Sequence, residues 1–238
     1  MPTGSKRYLS LTEKREAKKL YLLEEALEVL KNYGVSVKFD ETVEATFKLG
    51  VDVKKLQQPV RGSVNLPHGS GKNIRVLVFA QGEHAEKAKT AGADHVGGVE
   101  LIDTIKGGWL DFDAVVATPD MMKNIAVLGK VLGPRGLMPN PKMGTVTFEV
   151  DQIISDLKKG RIEFKMDKDG NLQMPVGKIS FPKESLRDNI NAAFRAVVAA
   201  KPQGAKGTYL KTMTLSSTMS PSVRINLGRF EEVKGSVS

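Results

Sequence analysis

The spacing of apolar positions changes twice along the chain. Two segments in the middle, residues 72–80 (KNIRVLVFA) and 112–119 (FDAVVATP), are nearly continuous apolar runs. Such runs are typical of strands that are buried on both faces of a parallel sheet. Helical patterns over residues 82–93 and 99–111 separate them, with a short strand predicted at 94–98. Strands that alternate with helices predict a small Rossmann-like α/β domain with right-handed crossovers.

The segments on either side of this middle part alternate with a period of two, which predicts strands with one buried face. The first such strand places five apolar side chains on one face: Val43, Ala45, Phe47, Leu49 and Val51. Further strands are predicted in residues 59–67, 208–217 and 222–228. Residues 161–176 predict a hairpin around the turn DKDG. In that hairpin three apolar residues face three others: Ile162, Phe164 and Met166 against Leu172, Met174 and Val176.

Two amphipathic helices are predicted in the same outer segments. The first covers residues 13–33, with one apolar face of four leucines, Leu20, Leu23, Leu27 and Leu30, and a stop at Gly34. The second begins at Pro182, and its apolar stripe consists of Leu186, Ile190, Ala193 and Val197. Helices that cover a mainly antiparallel sheet form an α+β sandwich.

The patterns together predict two domains of different class, one α+β and one α/β. Residues 1–67 and 160–238 form a discontinuous α+β sandwich, and residues 68–159 form the inserted three-layer Rossmann-like domain. Two chain crossings, near residues 67 and 160, join the domains and are a natural place for a hinge.

The charge distribution follows the same division. The chain has a formal net charge of +9, of which +3 lies in residues 1–67, zero in 68–159 and +6 in 160–238. An excess confined to the two outer segments favours a polyanion-binding unit built from both ends of the chain. A Lys-rich surface that only aids solubility remains the competing explanation.

Composition excludes several other classes of protein. The chain has no cysteine, which excludes disulfides, thiolate catalysis and zinc–cysteine sites. The sequence has no apolar run of membrane-spanning length and no apolar signal-peptide core at its beginning. We therefore expect a soluble cytoplasmic protein, with no membrane partner.

A nucleotide-binding enzyme is the alternative that the Rossmann-like pattern raises. The segment after the first middle strand, AQGEHAEKA, has one glycine where a dinucleotide-binding turn needs Gly-x-Gly-x-x-Gly. HGSGKN (68–73) precedes its strand and has Asn73 where a phosphate loop needs Ser or Thr. His68, His84 and His95 have no metal-ligand spacing. We expect no cofactor, no metal site and no catalytic residue.

Two short segments each place an apolar side chain between polar neighbours, a position in which it would contribute little to a hydrophobic core. Phe39 stands beside Lys38, Asp40 and Glu41, and Met219 lies in a turn of small hydroxyl residues. Single-stranded or bent RNA is often bound by an aromatic side chain together with groups that contact the 2′-hydroxyl. Ordinary packing at the edge of a sheet would explain the same two residues.

Several motifs, in order along the whole chain, resemble those of the ribosomal protein L-one family, the stalk proteins of the large ribosomal subunit. They are KFDETVE, LPHGSGK, GADHVGG, GPRGLMPNPK, KPQGAKGTYL and STMSPSVRIN. The length and motifs resemble the bacterial or plastid branch of that family. The resemblance implies a structural RNA-binding protein of the ribosome and not an enzyme.

The resemblance also implies partners and site residues. Members of the L-one family bind a folded stalk of large-subunit ribosomal RNA and contact deacylated tRNA that leaves the exit site. In many bacteria they also repress their own operon by binding its messenger RNA. The RNA-facing residues of the family correspond here to Phe39, Asp40, Glu41, Thr42, Glu44, Thr218, Met219 and Ser220. Further candidates for phosphate contacts are Lys38, Lys6, Arg7 and Lys165. We expect a monomer outside the ribosome, in a bacterial cytoplasm or a plastid stroma.

Two features leave open questions. The family usually has Gly where this chain has Ser220, so we expect a weaker or slightly shifted RNA contact there. The loop LGPRGLMPNPKMGT (132–145) could present Arg135 and Lys142 to tRNA or to the domain interface. It could equally be a rigid cover that packs Leu137 and Met138 onto the sheet.

Overall fold

The computed structural model describes residues 5–16, 19–34, 37–51, 59–202 and 207–228. Its strands are β1 Thr42–Leu49, β2 Arg61–Asn65, β3 Val76–Phe79, β4 His95–Gly97, β5 Ala114–Ala117, β6 Arg161–Lys165, β7 Asn171–Lys178, β8 Leu210–Ser217 and β9 Val223–Ile225. Its helices are α1 Lys6–Glu13, α2 Leu23–Gly34, α3 Glu83–Thr90, α4 Val99–Lys106, α5 Met122–Ile125, α6 Gly129–Leu132, α7 Val150–Lys159 and α8 Lys183–Ala199. The mixed α/β fold class that the sequence predicts is confirmed.

The chain divides into two compact units, and the first contains both ends of the described chain. It comprises the described residues up to Gly71 together with those from Ile162 onward. Four strands form an antiparallel sheet in the order β7-β1-β8-β9, and β2 and β6 form a separate two-stranded sheet. Helices α2 and α8 pack on these sheets.

The alternation predicted for β1 places its core face correctly. Val43, Ala45, Phe47 and Leu49 are buried, and Val51 is partly buried. The predicted stripe of α8 is buried as well. The core of the first unit therefore lies between this face of the four-stranded sheet and the two helices.

The predicted helix over residues 13–33 is correct only from Leu23, where α2 begins, to its end at Gly34. Its first half is wrong, because residues 14–16 and 19–22 form a non-helical connection between α1 and α2. The backbone N–H of Tyr21 donates to the Arg224 carbonyl at 3.0 Å, and the Asn226 N–H donates to the Tyr21 carbonyl at 2.9 Å. These bonds extend the sheet beyond β9 and compete with helix formation. Leu20, predicted on the apolar face of a helix, is exposed. Residues 17 and 18 of the predicted helix lie outside the described residues.

The predicted pairing of the hairpin in residues 161–176 is also wrong. The chain reverses at the DKDG turn, but Met166 and Leu172 form only an isolated bridge. Strand β6 pairs with β2 instead, and the Met166 N–H donates to the Val60 carbonyl at 2.8 Å. Phe164 packs against Gly62, where a Cβ atom would lie 2.8 Å from its ring. The absence of a side chain at Gly62 thus leaves room for the Phe164 ring where β6 pairs with β2.

The second unit, Lys72–Arg161, is a three-stranded parallel sheet in the order β4-β3-β5. Alternate side chains of β3 point to opposite faces: Val76 and Val78 join one core cluster with α3 and α7, and Leu77 and Phe79 join another with α4, α5 and α6. Both faces of the sheet are therefore covered, as continuous apolar strands require.

Ion pairs fix the start of β3 in this unit. Asp113 accepts a hydrogen bond from Lys72 Nζ at 2.7 Å and another from Arg75 Nε at 3.1 Å, and Arg75 also pairs with Asp111. The hydrogen bond from Lys72, followed by those from Arg75, lowers the pKa of Asp113 to about 2. Asp111 and Asp113 thus act as partners of cations rather than as catalytic groups.

The loop 132–145 is held by its own hydrogen bonds and by apolar anchors. Leu132 is fully buried, and Leu137 and Met138 pack against the same core cluster. The Asn140 N–H donates to Thr145 Oγ1 at 2.8 Å, and Gly136 has φ +72°, a conformation that favours glycine. These contacts support the interpretation of the loop as a rigid cover.

Candidate nucleic-acid interface

Two segments that are far apart in sequence meet at one end of the four-stranded sheet. The first leads into β1 and includes Phe39 to Thr42, and the second is the turn after β8, residues 218–220. The Met219 N–H donates to Glu41 Oε1 at 2.9 Å. The Thr42 N–H donates to Thr218 Oγ1 at 3.1 Å. The structure thus brings together the two groups of residues that the sequence singles out.

Glu41 is a fully buried carboxylate at the centre of this junction. Besides the Met219 N–H, it accepts a hydrogen bond from the Ser217 hydroxyl at 2.6 Å through Oε2. Both oxygens are therefore occupied by the chain itself, as a buried charged group requires. In this structure Glu41 positions the 218–220 turn rather than presenting its carboxylate at the surface.

Ser220 stabilises the same turn through its hydroxyl group. The Ser217 N–H donates to Ser220 Oγ at 3.1 Å, and the two hydroxyl oxygens lie 2.7 Å apart. Because the single Ser217 hydroxyl proton goes to Glu41, the Ser220 hydroxyl is the donor in that second contact. No residue other than glycine has a positive φ in the described chain, so Ser220 occupies its position without the backbone strain considered above.

Further contacts anchor the two segments from outside. The Asp40 carboxylate accepts hydrogen bonds from the Ser180 N–H at 3.1 Å and from its hydroxyl at 2.7 Å. Lys178 Nζ donates to Thr42 Oγ1 at 2.9 Å. Arg7 Nη2 donates to the Met219 carbonyl at 2.5 Å, so this cation contacts the turn directly.

Phe39 and Met219 are the exception in this well-bonded junction. Each side chain is 52% exposed, although both belong to apolar residue types. The backbone around them is fixed by Glu41, Asp40 and Arg7, as described above. These hydrogen bonds therefore hold the backbone next to an aromatic ring and a thioether that lie on the surface.

One face of the four-stranded sheet carries polar side chains and continues this surface. Glu44 on β1 is exposed on that face and lies opposite Ser216 of β8. In the next outward-facing row four polar residues lie side by side across the sheet: Gln173, Thr46, Thr214 and Arg224. Directly paired residues point to the same face of a sheet, so these groups form one polar surface.

Sequence reasoning missed most of this row. The period of two in β1 and β8 already places Thr46, Thr214 and Ser216 opposite the core face. What the sequence does not supply is the register between strands, which decides that these residues are neighbours of Glu44 and Arg224.

The remaining candidate cations lie elsewhere on the chain. Lys38 is exposed next to Phe39, Lys6 is exposed on α1, and Lys165 is exposed on β6. Arg135 is exposed in the loop of the second unit, whereas the side chain of Lys142 lies outside the described part of the structure. Their role in binding stays a prediction.

The described residues offer little for other chemistry. They contain no cluster of side chains that could hold a metal ion. His68 contacts Asp188 at 3.4 Å, His84 contacts the Phe148 ring, and His95 packs edge-on against Trp109. In the same described ranges, no helix has both the length and the apolar character needed to span a bilayer.

Comparison with known proteins decides the family. The model of the ribosomal protein L1p/L10e family matches residues 29–221. The chain belongs to this family. It is 55% identical over 227 residues to the large ribosomal subunit protein uL1 of Thermus thermophilus, covering 95% of this chain and 99% of that protein. It is also 55% identical over 222 residues to the large ribosomal subunit protein uL1 of Cutibacterium acnes, covering 93% of this chain and 95% of that protein.

These findings confirm the resemblance seen in the motifs. Both relatives are bacterial proteins and both are named as proteins of the large ribosomal subunit. The matched region includes both segments of the junction, from Phe39 through Ser220. The chain is therefore a ribosomal protein of the bacterial type, and the alternative of a nucleotide-binding enzyme is excluded by its family.

Proposed function

We propose that the first unit binds a folded stalk of large-subunit ribosomal RNA through the junction of Phe39 and Met219. The observation that carries the proposal is the pair of half-exposed apolar side chains on a rigid, hydrogen-bonded base. Apolar side chains that are exposed together within a rim of polar residues are typical of binding surfaces. Membership of a ribosomal protein family makes RNA the fitting partner.

Each part of the surface has a different task in this proposal. Phe39 and Met219 pack against bases and riboses of unpaired or bent nucleotides. Glu44 and the hydroxyl groups of Thr42 and Thr218 bind ribose 2′-hydroxyls, which distinguish RNA from DNA. Glu41, Asp40 and Ser220 hold the junction in place, and Arg7 supports the turn next to a phosphate. Lys38, Lys6 and Lys165 contact phosphates.

The same surface supports two further roles that we propose from the family resemblance. In the ribosome the bound stalk assists the release of deacylated tRNA from the exit site, with Arg135 and Lys142 as candidate contacts. In the cytoplasm the free monomer binds the messenger RNA of its own operon and represses translation. One binding surface serves ribosomal and messenger RNA in turn, so the two RNAs compete for it.

The proposal is tested by comparing two kinds of substitution in RNA binding. Phe39→Ala and Met219→Ala remove contacts to bases and riboses, so we expect an affinity loss of about tenfold each with an unchanged salt slope. Lys38→Ala removes one phosphate contact, so we expect the log–log salt slope to flatten by about 0.7 to 0.9. Affinities are measured by filter binding to the stalk fragment across a series of KCl concentrations.

Phe148→Ala is the matched control for Phe39→Ala. Phe148 belongs to the second unit and is 50% exposed, so the loss of exposed aromatic area is nearly the same. We expect no change in affinity for this variant. Equal losses in both phenylalanine variants, or no loss in Phe39→Ala and Met219→Ala, would contradict the proposed site.

A further inference from the structure

A surface cavity beside the proposed interface has no role in the function described so far. Its volume is about 400 Å³, and it lies in the first unit at the β9 edge of the sheet, where the Tyr21 backbone bonds to that of Arg224. It is lined by Arg15, Glu16, Lys19, Tyr21, Ser222, Val223 and Arg224. Three cationic side chains thus face one carboxylate in a space large enough for a phosphate group.

The cations are only partly compensated within the cavity. Lys19 Nζ lies 3.9 Å from Glu16 Oε1 and 5.0 Å from the centre of the Tyr21 ring. The ring and the carboxylate keep the ammonium group at the cavity, but one carboxylate cannot neutralise three cations. The positive excess favours an anionic ligand.

Arg15 has a donor group that the chain does not use. Its Nη1 donates to the Ser222 carbonyl, which fixes the guanidinium against the loop before β9. Its Nε is buried and has no hydrogen-bond partner within the described chain. A buried N–H without an acceptor is unfavourable, and a guanidinium presents its N–H groups in a fork that suits phosphate oxygens.

The cavity is continuous with the surface proposed to bind RNA. Arg224 lies directly opposite Thr214 in the polar row of the four-stranded sheet, and it also lines the cavity. Ser222, whose carbonyl Arg15 holds, follows Met219 by three residues in the same loop. An RNA strand that contacts Met219 and crosses the sheet face toward β9 reaches this cavity.

We propose that the cavity binds one backbone phosphate of the RNA, with Arg15, Lys19 and Arg224 as its ligands. This inference rests on the proposed function, because the phosphate belongs to the RNA held at Phe39 and Met219. It extends the interface beyond the junction to Arg15 and Lys19, which precede α2. The cavity contributes affinity but does not distinguish nucleotide sequence, because every backbone phosphate is alike.

The first test uses the salt dependence of binding to the stalk fragment by the full chain. Arg224→Gln and Lys19→Gln each remove a cation from an exposed position without removing a core side chain. We expect each to weaken binding about three- to tenfold and to flatten the log–log slope by about 0.7 to 0.9. The matched control is Arg195→Gln, an exposed arginine on α8, for which we expect neither change.

A second readout identifies the phosphate itself. In an ethylation-interference experiment, phosphates of the stalk fragment are ethylated at random, which removes their charge one at a time. At one position, we expect ethylation to weaken the binding of the unchanged protein. At that same position, ethylation should not weaken the binding of Arg224→Gln, because this variant has already lost the contact to that phosphate. Additive losses at every position would overturn the inference.

The outcomes separate this inference from the proposed function. If the unchanged protein prefers the stalk fragment and Phe39→Ala weakens binding to it as expected, but Arg224→Gln and Lys19→Gln behave like Arg195→Gln, the cavity holds no RNA phosphate. If the unchanged protein shows no preference for the stalk fragment, the proposed function itself fails. The inference is also overturned if inorganic phosphate binds in the cavity but Arg224→Gln and Lys19→Gln bind the stalk fragment as tightly as the unchanged protein does.

Discussion

The buried carboxylate of Glu41 should stabilise the first unit more than any surface carboxylate nearby. Its two oxygens accept hydrogen bonds from the Met219 N–H at 2.9 Å and from the Ser217 hydroxyl at 2.6 Å. Glu41→Ala removes both bonds and leaves the two donors enclosed without this acceptor.

The expected loss follows from the number and kind of these bonds. A hydrogen bond to a charged group contributes about 1.5 to 3 kcal/mol, and an unsatisfied buried donor costs about as much. Burying a charged group is itself unfavourable, so removing the carboxylate offsets part of the loss from the two hydrogen bonds. We therefore expect Glu41→Ala to lower the free energy of unfolding of the first unit by about 2 to 4 kcal/mol. Glu41→Gln retains one acceptor oxygen and should lose about half as much.

The assay is urea unfolding of the full chain, followed by two probes. The only tryptophan, Trp109, lies in the second unit, so its fluorescence follows that unit, while far-UV circular dichroism follows both. With a slope of about 2 kcal/mol per molar urea, the transition of the first unit should move down by about 1 to 2 M. The fluorescence transition should stay where it is.

Glu44→Ala provides the control on the same strand. Glu44 is exposed, so its removal should change the free energy of unfolding by less than about 0.5 kcal/mol. A shift in Glu41→Ala no larger than that in Glu44→Ala would refute the reasoning, since it would mean that the two hydrogen bonds do not hold the junction.

Two more predictions concern the same turn and the second unit. Ser220→Gly removes the hydroxyl that accepts a hydrogen bond from the Ser217 N–H at 3.1 Å, and it adds backbone freedom to the unfolded chain. In urea unfolding, the free energy of unfolding should therefore fall by about 1 to 1.5 kcal/mol. An unchanged or higher free energy of unfolding would contradict this role of Ser220. The lowered pKa of Asp113, about 2, stabilises the folded chain at pH values above its ordinary 3.8, and this contribution is lost as the pH falls from about 4 toward 2. The unfolding free energy of the unchanged protein should therefore exceed that of Asp113→Asn by about 1 to 2 kcal/mol at pH 6, and Trp109 fluorescence should show the difference shrinking by pH 2.5. A pH-independent difference would argue against the ion pairs.

Local periodicity predicted the strands and faces well, because it depends only on which side of an element is buried. The face of β1 with Val43, Ala45 and Phe47 and the stripe of α8 were found this way. Pairing was predicted less well, because it depends on contacts made far along the chain. Strand β6 leaves its sequence neighbour for β2, and Tyr21 joins Ile225 across some two hundred residues instead of continuing a helix.

The candidate site shows the same division. Phe39 and Met219 could be singled out from the sequence because an apolar residue among polar neighbours is unusual for a core. The burial of Glu41 could not be predicted, because its partners Ser217 and Met219 follow it by 176 and 178 residues. The cavity with Arg15 and Arg224 was missed for the same reason.

The measurement that tests the central claim most directly is filter binding of the unchanged protein to two RNAs. One is the stalk fragment of large-subunit ribosomal RNA, and the other is an unrelated hairpin of equal length, each titrated across a series of salt concentrations. We predict a preference for the stalk fragment of at least about a hundredfold that persists at high salt, with a log–log slope of roughly −3 to −6. Equal affinities that fall steeply with salt for both RNAs would contradict the account, because the net charge of +9 alone would then explain the binding.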